Sequence, residues 1–368
     1  MAAQQAAKPF NASSFIHKEP FYDNSFASPA ILANTQYIGP ISVVPYGFLR
    51  RVFVQVNMPA AGTVGPAAVN TALPSGQQGT YILSNVDFHD VNGASIIQNL
   101  SGWDLYLINR YGNYNQGTDV PDAYTGTAFA GTNVTNGTVA WGMYIPIEVS
   151  NNGLCALANQ DAAAKYQISF TIASLGMMYS TNPTTAPSLR VRMFADCWAQ
   201  PYPQDIFGRA QTMTPPLLGS TQFWTRYQKT VNTGLFTVDL ERRGAYIRTL
   251  ILYLQGGTAV NGITPMDSTD YPDPMTFLWD GQIVRVESVA CRQADMVGAF
   301  AQYSYAQPTG VFVYQNSDDT AYGDDNGALW YPTLTSTNMQ FQGTYGAGQS
   351  SYILNILTND IAIANLGQ

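Results

Sequence analysis

Pro45-Tyr46-Gly47-Phe48-Leu49-Arg50-Arg51-Val52-Phe53-Val54-Gln55-Val56 decides the fold, because the chain carries it a second time as Gly244-Ala245-Tyr246-Ile247-Arg248-Thr249-Leu250-Ile251-Leu252-Tyr253-Leu254. Phe48 and Tyr246 lie 198 residues apart. Read at alternate positions, the first copy gives Phe48, Arg50, Val52, Val54 and Val56, and the second gives Tyr246, Arg248, Leu250, Leu252 and Leu254. An aromatic, an arginine and three aliphatics at period 2 is the spacing that points side chains to one face of a strand. The opposite faces, with Leu49 and Phe53 against Ile247 and Ile251, are also largely apolar, so both strands are expected to be covered on both sides.

The segments that follow repeat in the same order. Ile82 to Asp90 reads as a strand, Asp90-Val91-Asn92-Gly93 as a turn and Ala94 to Ile97 as the return; later, Met275 to Trp279, Asp280-Gly281 and Ile283 to Val286 do the same. Asn-Gly and Asp-Gly supply the positive φ angles of a tight hairpin. A short helix is predicted after each hairpin. In the first, Ser101 caps with Asp104 three residues on, Trp103, Leu107 and Tyr111 share a face, and Gly112 closes it. Ser288 to Phe300 repeats the design more loosely. A repeat of about 200 residues is far longer than the roughly 20–50 of a solenoid and implies two related domains.

At 368 residues the chain accommodates about two domains, and 46% apolar residues suffice for a core in each. Only 11% of residues are charged, against about 25% in a typical soluble protein. A surface so poor in charge suits an assembly or, less well, a secreted β-protein with a neutral polar coat. Net charge is −8 with 16 basic residues, none concentrated into the stripe that phosphate backbones require, which argues against direct nucleic-acid binding. Cys155, Cys197 and Cys291 have no paired spacing and read as small packing residues. The N-terminal MAAQQAAKPF lacks the apolar core of an export signal.

Along the chain, residues 1–35 read as an extended arm whose Phe10, Phe15, Phe21, Tyr22 and Phe26 must dock on this chain, on a neighbour or on lipid. Residues 36–200 form the first domain, with an Asn-capped, alanine-rich helix expected at residues 152–164 and strands at Tyr166 to Ile172 and Leu189 to Met193. Proline-bearing residues 201–240 read as the connection, and 241–368 as the second domain, with strands at Gly310 to Gln315, Thr337 to Tyr345 and Tyr352 to Leu357. Residues 112–138 and 256–274 read as long loops. Many short strands with Gly/Pro turns and few helices give an all-β chain of two tandem sandwiches, best matched by eight-stranded jelly rolls.

Chemistry-bearing constellations are sparse. Asp87, His89 and Asp90 cluster in sequence, but a strand sends Asp90 away from the other two, which leaves a polar rim at a hairpin. Asp318, Asp319, Asp324 and Asp325 are oxygen donors in one loop without the spacing of a known calcium loop, so solvation competes with cation binding. No nucleophile-elbow, zinc-helix, dinucleotide or phosphate-loop string occurs, and no cofactor is called for. Trp103 and Trp141 have apolar neighbours and fit a core better than a sugar platform. Arg50 and Arg248 sit at equivalent places on apolar faces and are each expected to pair with a carboxylate or with carbonyl oxygens near a strand end, within their own sandwich rather than between subunits.

The order of elements resembles the major capsid proteins of tectivirus-type phages, in the double jelly-roll lineage that includes adenovirus hexon. The resemblance rests on Gly47-Phe48-Leu49, on Ser101-Gly102-Trp103-Asp104-Leu105 with Asn109, on Met143-Tyr144-Ile145-Pro146 leading to Leu157-Ala158-Asn159 on the expected second helix, and on Gly310-Val311-Phe312. It spans most of the chain from about residue 40. It implies a non-enzymatic homotrimer of two jelly rolls per chain that tiles the icosahedral shell of a double-stranded DNA phage with an internal membrane, made in the host cytoplasm and resident in the virion. It also implies an arm on the inner side of the shell, with Lys8, Phe10, Phe15, His17 and Lys18 facing an interface or the membrane, and minor capsid proteins as further partners. The alternative reading is a carbohydrate-binding or glycan-processing β-sandwich protein, although the sequence nominates no carboxylate pair for hydrolysis.

Overall fold

The duplicated stretch forms two strands that each carry a β-bulge at the repeated arginine. In the computed structural model, Leu49 pairs with Cys197 and Arg51 with Asp196, which leaves Arg50 as the extra residue. Likewise Ile247 pairs with Asp360 and Thr249 with Asn359, which leaves Arg248. One extra residue moves the alternation out of phase. Leu49, not Phe48, therefore shares the inner face with Val52, while Phe48 turns to a separate cluster with Phe10 and Trp198. The single face expected to run from Phe48 to Val56 is broken at the bulge.

The structure describes residues 6–26, 34–58, 68–69, 78–112, 114, 139–149, 153–174, 179–181, 188–240, 246–256, 268–300, 310–315, 330–334, 336, 338–349 and 352–364. The acidic Asp318–Asp325 loop and most of the long loops expected at 112–138 and 256–274 lie outside them. The first half runs α1 (Phe10–Ser13), β1 (Ile16–Phe26), β2 (Gln36–Ser42), β3 (Phe48–Met58), β4 (Ala68–Val69), β5 (Leu83–His89), β6 (Ser95–Leu100), α2 (Gly102–Tyr111), β7 (Val139–Pro146), β8 (Leu157–Ala158), β9 (Gln167–Ile172), β10 (Tyr179–Thr181) and β11 (Leu189–Trp198). The second runs β12 (Thr221–Thr230), β13 (Gly234–Asp239), β14 (Tyr246–Gln255), β15 (Met275–Trp279), β16 (Gln282–Glu287), α3 (Val289–Ala299), β17 (Val311–Tyr314), β18 (Tyr331–Pro332), β19 (Met339–Tyr345) and β20 (Ile353–Ala362).

Leaving aside the short strands β4, β8, β10 and β18, each half has the same weave. The first half pairs β1-β11-β3-β7 and β2-β9-β5-β6; the second pairs β12-β20-β14-β17 and β13-β19-β15-β16. Numbered within a half, one sheet holds strands one, eight, three and six and the other holds two, seven, four and five, which is an eight-stranded jelly roll made twice. Every pairing among these sixteen strands is antiparallel except one: β6 runs parallel to β12, Ile97 beside Trp224 and Gln98 beside Thr225. That contact fuses a sheet of the first jelly roll to a sheet of the second, and one continuous hydrophobic core spans both halves.

Local sequence explains the hairpins and helices. Asp280 and Gly281 both take positive φ (50° and 79°), as a two-residue turn between twisted strands requires, whereas the longer first turn places only Gly93 there (85°). Ser101 and Asp104 make the full capping box of α2, and the Ser288 side chain caps α3 through Cys291 N–H.

Several expectations change. Residues 16–26 are not a coreless arm: they are β1, paired with β11 along its length. Residues 221–239 are not connection but β12 and β13. No helix occurs within residues 153–164, because Leu157 and Ala158 pair with Leu49 and Phe48 and the alanines that follow lie in a bend. Asn159 is buried there with its amide on Val44 O at 2.7 Å, so a demand for strand pairing and a buried side-chain bond override helix propensity. Finally, β14 is buried on both faces, but the outer face of β3, with Arg51, Phe53 and Gln55, is only half-buried.

Gly102 opens α2 where an added Cβ would lie 1.9 Å from the Thr80 carbonyl oxygen, whereas a Cβ at Gly298 in α3 would meet no atom within 4 Å. Helix propensity alone favours alanine at both sites by about 1 kcal/mol. Gly102→Ala is expected to destabilise the protein by about 1–3 kcal/mol through overpacking, and Gly298→Ala to leave stability unchanged or raise it; denaturant midpoints of the two variants check this.

Candidate assembly site at the junction of the halves

α2 is buried along its whole length, and the second half grips both of its ends. At its N-terminus Asp104, fully buried, accepts from Ser101 N–H and Ser101 Oγ, each at 2.7 Å. The same carboxylate takes Arg226 of β12 at 3.1 Å and the hydroxyl of Tyr253 of β14. At the C-terminus Arg248 of β14 donates to Gly112 O at 3.1 Å and to Asn359 Oδ1 at 3.4 Å. The carboxylate lies at the positive end of the helix dipole and the guanidinium at the negative end, so both charges are favourably placed. The lengths agree as well. From 104 to 112 a helix rises about 12 Å, and from 248 to 253 a strand spans about 16 Å, so α2 lies antiparallel along β14.

Burial, and then the negative charge of Asp104, holds the Tyr253 hydroxyl well above the usual phenol range. Tyr253 therefore stays protonated and donates. Asn109 ties the same helix to the first half: its amide donates to Tyr144 O at 2.7 Å and accepts from Tyr144 N at 2.9 Å. Tyr144 belongs to β7, the last strand of its sheet, so the side chain occupies backbone groups that an edge strand would otherwise present. Ring contact between Tyr111 and Phe300, 4.8 Å between centroids, joins the ends of the two helices.

Arg50 meets the expectation of a partner within its own sandwich: its Nε lies 2.8 Å from Glu148 Oε2, and both side chains are buried. Trp198 Nε1 and Gly153 N also donate to Glu148, at 2.9 and 2.7 Å. Arg248 departs from it, because the carbonyl it contacts belongs to the first half. The sequence did not single out Arg226 or Tyr253. Their shared partner lies 122 and 149 residues away, a separation that no local pattern reports.

The N-terminal candidates divide. Phe10 is buried against Phe48 and Trp198, at 5.5 and 6.1 Å between centroids, so it serves this chain's own packing and does not face a partner or a membrane. The Lys8 backbone pairs with the 210–212 segment and its amine lies 3.9 Å from Asp205. His17 stacks on Tyr46 at 4.1 Å and lies 3.2 Å from Glu19, and Lys18 sits 4.3 Å over the Phe53 ring. Phe15 is 63% exposed.

Asp87 and Asp90 accept backbone N–H groups of the β5–β6 hairpin at 2.8 Å, and His89 lies 3.3 Å from Ser95 Oγ. These are structural contacts at a turn. Among the described residues no three His, Cys, Asp or Glu side chains converge as metal ligands. Cys155 and Cys197 are buried, with burial pushing both thiols up to about 12, whereas Cys291 is exposed on α3 and is not the packing residue expected. A cavity of about 360 Å³ in the second half is lined by Leu250, Phe277, Trp279, Val284 and Tyr314. No helix among the described residues is long and apolar enough to cross a membrane.

No protein-family model and no curated protein matches the chain. Solved structures do. The chain is similar to the major capsid protein of Sulfolobus turreted icosahedral virus (TM-score 0.62, 15% identity, covering 95% of this chain and 97% of that one). It is also similar to the major capsid protein P2 of bacteriophage PM2 (0.53, 12%, 96% and 99%) and to the Faustovirus major capsid protein (0.56, 10%, 99% and 93%). The fold is the double jelly roll of these viral major capsid proteins.

Tyr253→Phe is expected to cost about 1.5–3 kcal/mol near neutral pH, as loss of a hydrogen bond to a charged group does. The linkage sign follows from the raised hydroxyl. Its contribution is complete below the unfolded value of about 10 and is lost as pH rises beyond it. Between about pH 10 and 11 the stability of the natural chain should therefore fall more steeply than that of the variant, which denaturation at a series of pH values reads directly.

Proposed function

We propose that this chain is a structural major capsid protein without catalytic activity. The observation that carries the reading is the doubled eight-stranded weave, matched over nearly the whole chain to capsid proteins from three unlike viruses. A low-charge surface with exposed aliphatics suits a protein that buries its faces in a shell. Obligate interfaces commonly cover more than about 2,000 Å².

In its finer form, the unit is a homotrimer, six jelly rolls arranged as a pseudo-hexagonal block in an icosahedral shell. The virus proposed is a double-stranded DNA phage with an internal membrane. The N-terminal segment lies on the inner side, with Lys8, Phe15, His17 and Lys18 available to neighbours, minor capsid proteins or lipid. The absence of a basic stripe in the sequence fits a shell that does not itself hold the genome.

Native mass by light scattering on a sizing column tests the reading. A stable species of three chains, which on concentration yields shells or sheets in electron micrographs, is the expected result. A monomer at all concentrations, or specific glycan binding by the monomer, would overturn it in favour of a carbohydrate-binding sandwich.

A further inference from the structure

The internal duplication gives each surface at the junction of the halves a second copy, and the second copies are the uncovered ones. β6 is covered by its parallel neighbour β12, and its Ile97 is fully buried. Counted back from the serine cap of the following helix, Ile97 corresponds to Val284 of β16, which is 58% exposed on the outermost strand of its sheet beside Ile283 at 64%. α2 is wholly buried; α3 buries only Arg292 and Met296 and leaves Val297 61% exposed. The outer face of β14, with Ile251 and Tyr253, is buried, and Tyr253 reaches Asp104 of α2 from it. Its copy on β3, with Phe53 and Gln55, is only half-buried. Finally β12, whose edge receives β6, is copied by β1, which among the described residues pairs with β11 alone and has no strand on its other edge.

Each donor surface of the first half thus has an uncovered copy in the second half, and each acceptor surface of the second half has one in the first. We infer that β16 and α3 of one chain dock on the β1 edge and the outer face of β3 of a second copy, which repeats between chains the β6–β12 and α2–β14 contacts made within the chain. The contact is heterologous: two different patches meet, and successive copies use both. It places Ile283 to Arg285 of β16 beside His17 to Glu19 of β1. By the same correspondence Cys291 takes the place of Asp104 and Gln55 the place of Tyr253, so the α3 of one copy brings its exposed cysteine to Gln55 of the next. The inference rests on the proposed assembly and specifies its interface.

Gln55→Cys, made in the full-length natural chain, tests it, because Cys155 and Cys197 are buried and Cys291 is the accessible partner among the described cysteines. With a short bis-maleimide, the expected result is covalent species of two and three chains as the main product, lost when Cys291→Ser is added. Leu235→Cys on β13, at the opposite end of that sheet from β16, should give none. In parallel, Ile283→Glu with Val297→Glu should shift the native mass from assembly to monomer with an unchanged far-ultraviolet circular dichroism spectrum. If the natural chain assembles but Gln55→Cys links no better than Leu235→Cys, this interface is wrong and the capsid reading stands. If the natural chain is monomeric, both fall.

Discussion

The buried carboxylate of Asp104 is the constraint around which the two halves are arranged. A charge removed from water is tolerated only if its lone pairs are occupied, and four donors from three elements fill them: the backbone and hydroxyl of Ser101, the guanidinium of Arg226 and the phenol of Tyr253. Two of those elements belong to the second half. The helix cap of one jelly roll is thereby completed by the other. Arg248 repeats the logic at the far end of α2. With the helix held at both ends, β6 lies beside β12, one sheet of each sandwich runs on into one sheet of the other, and the two halves share one core.

Duplication followed by burial of only one copy explains the uneven surface of the chain. β3 and β14 share a bulge at the same arginine, and the hairpins and capped helices recur in the same order. The environments differ, however. α2 is buried throughout and β6 buries Ile96, Ile97 and Leu100, while α3 and β16 expose Val297, Ile283, Val284 and Val286. An exposed aliphatic edge strand is an aggregation hazard for a monomer, and natural proteins usually blunt such an edge with charge or cover it. Here the covering surface exists inside the chain, in the form its first copy uses.

Much of this was legible in the sequence, and particular residues show where legibility ended. Period 2 placed β3 and β14, Asp280-Gly281 placed a turn, and Ser101 with Asp104 placed a helix start, because each signal is short-range. The single face expected from Phe48 to Val56 failed because a bulge leaves no compositional mark. The helix expected at 152–164 was an inference from alanine content that a pairing with β3 overrode. Phe10 and β1 looked like an extended arm because their partners, Trp198 and β11, lie more than 160 residues away.

The sequence by itself determined that the chain is a duplicated all-β protein, since alternation, turn residues and caps act over a few positions and survive in both copies. Tertiary structure alone decided which copy of each element is buried, which carboxylate Arg226 and Tyr253 share, and which edges stay open. Those outcomes depend on contacts between residues more than a hundred positions apart, where burial and electrostatic pairing, rather than local propensity, set the free energy.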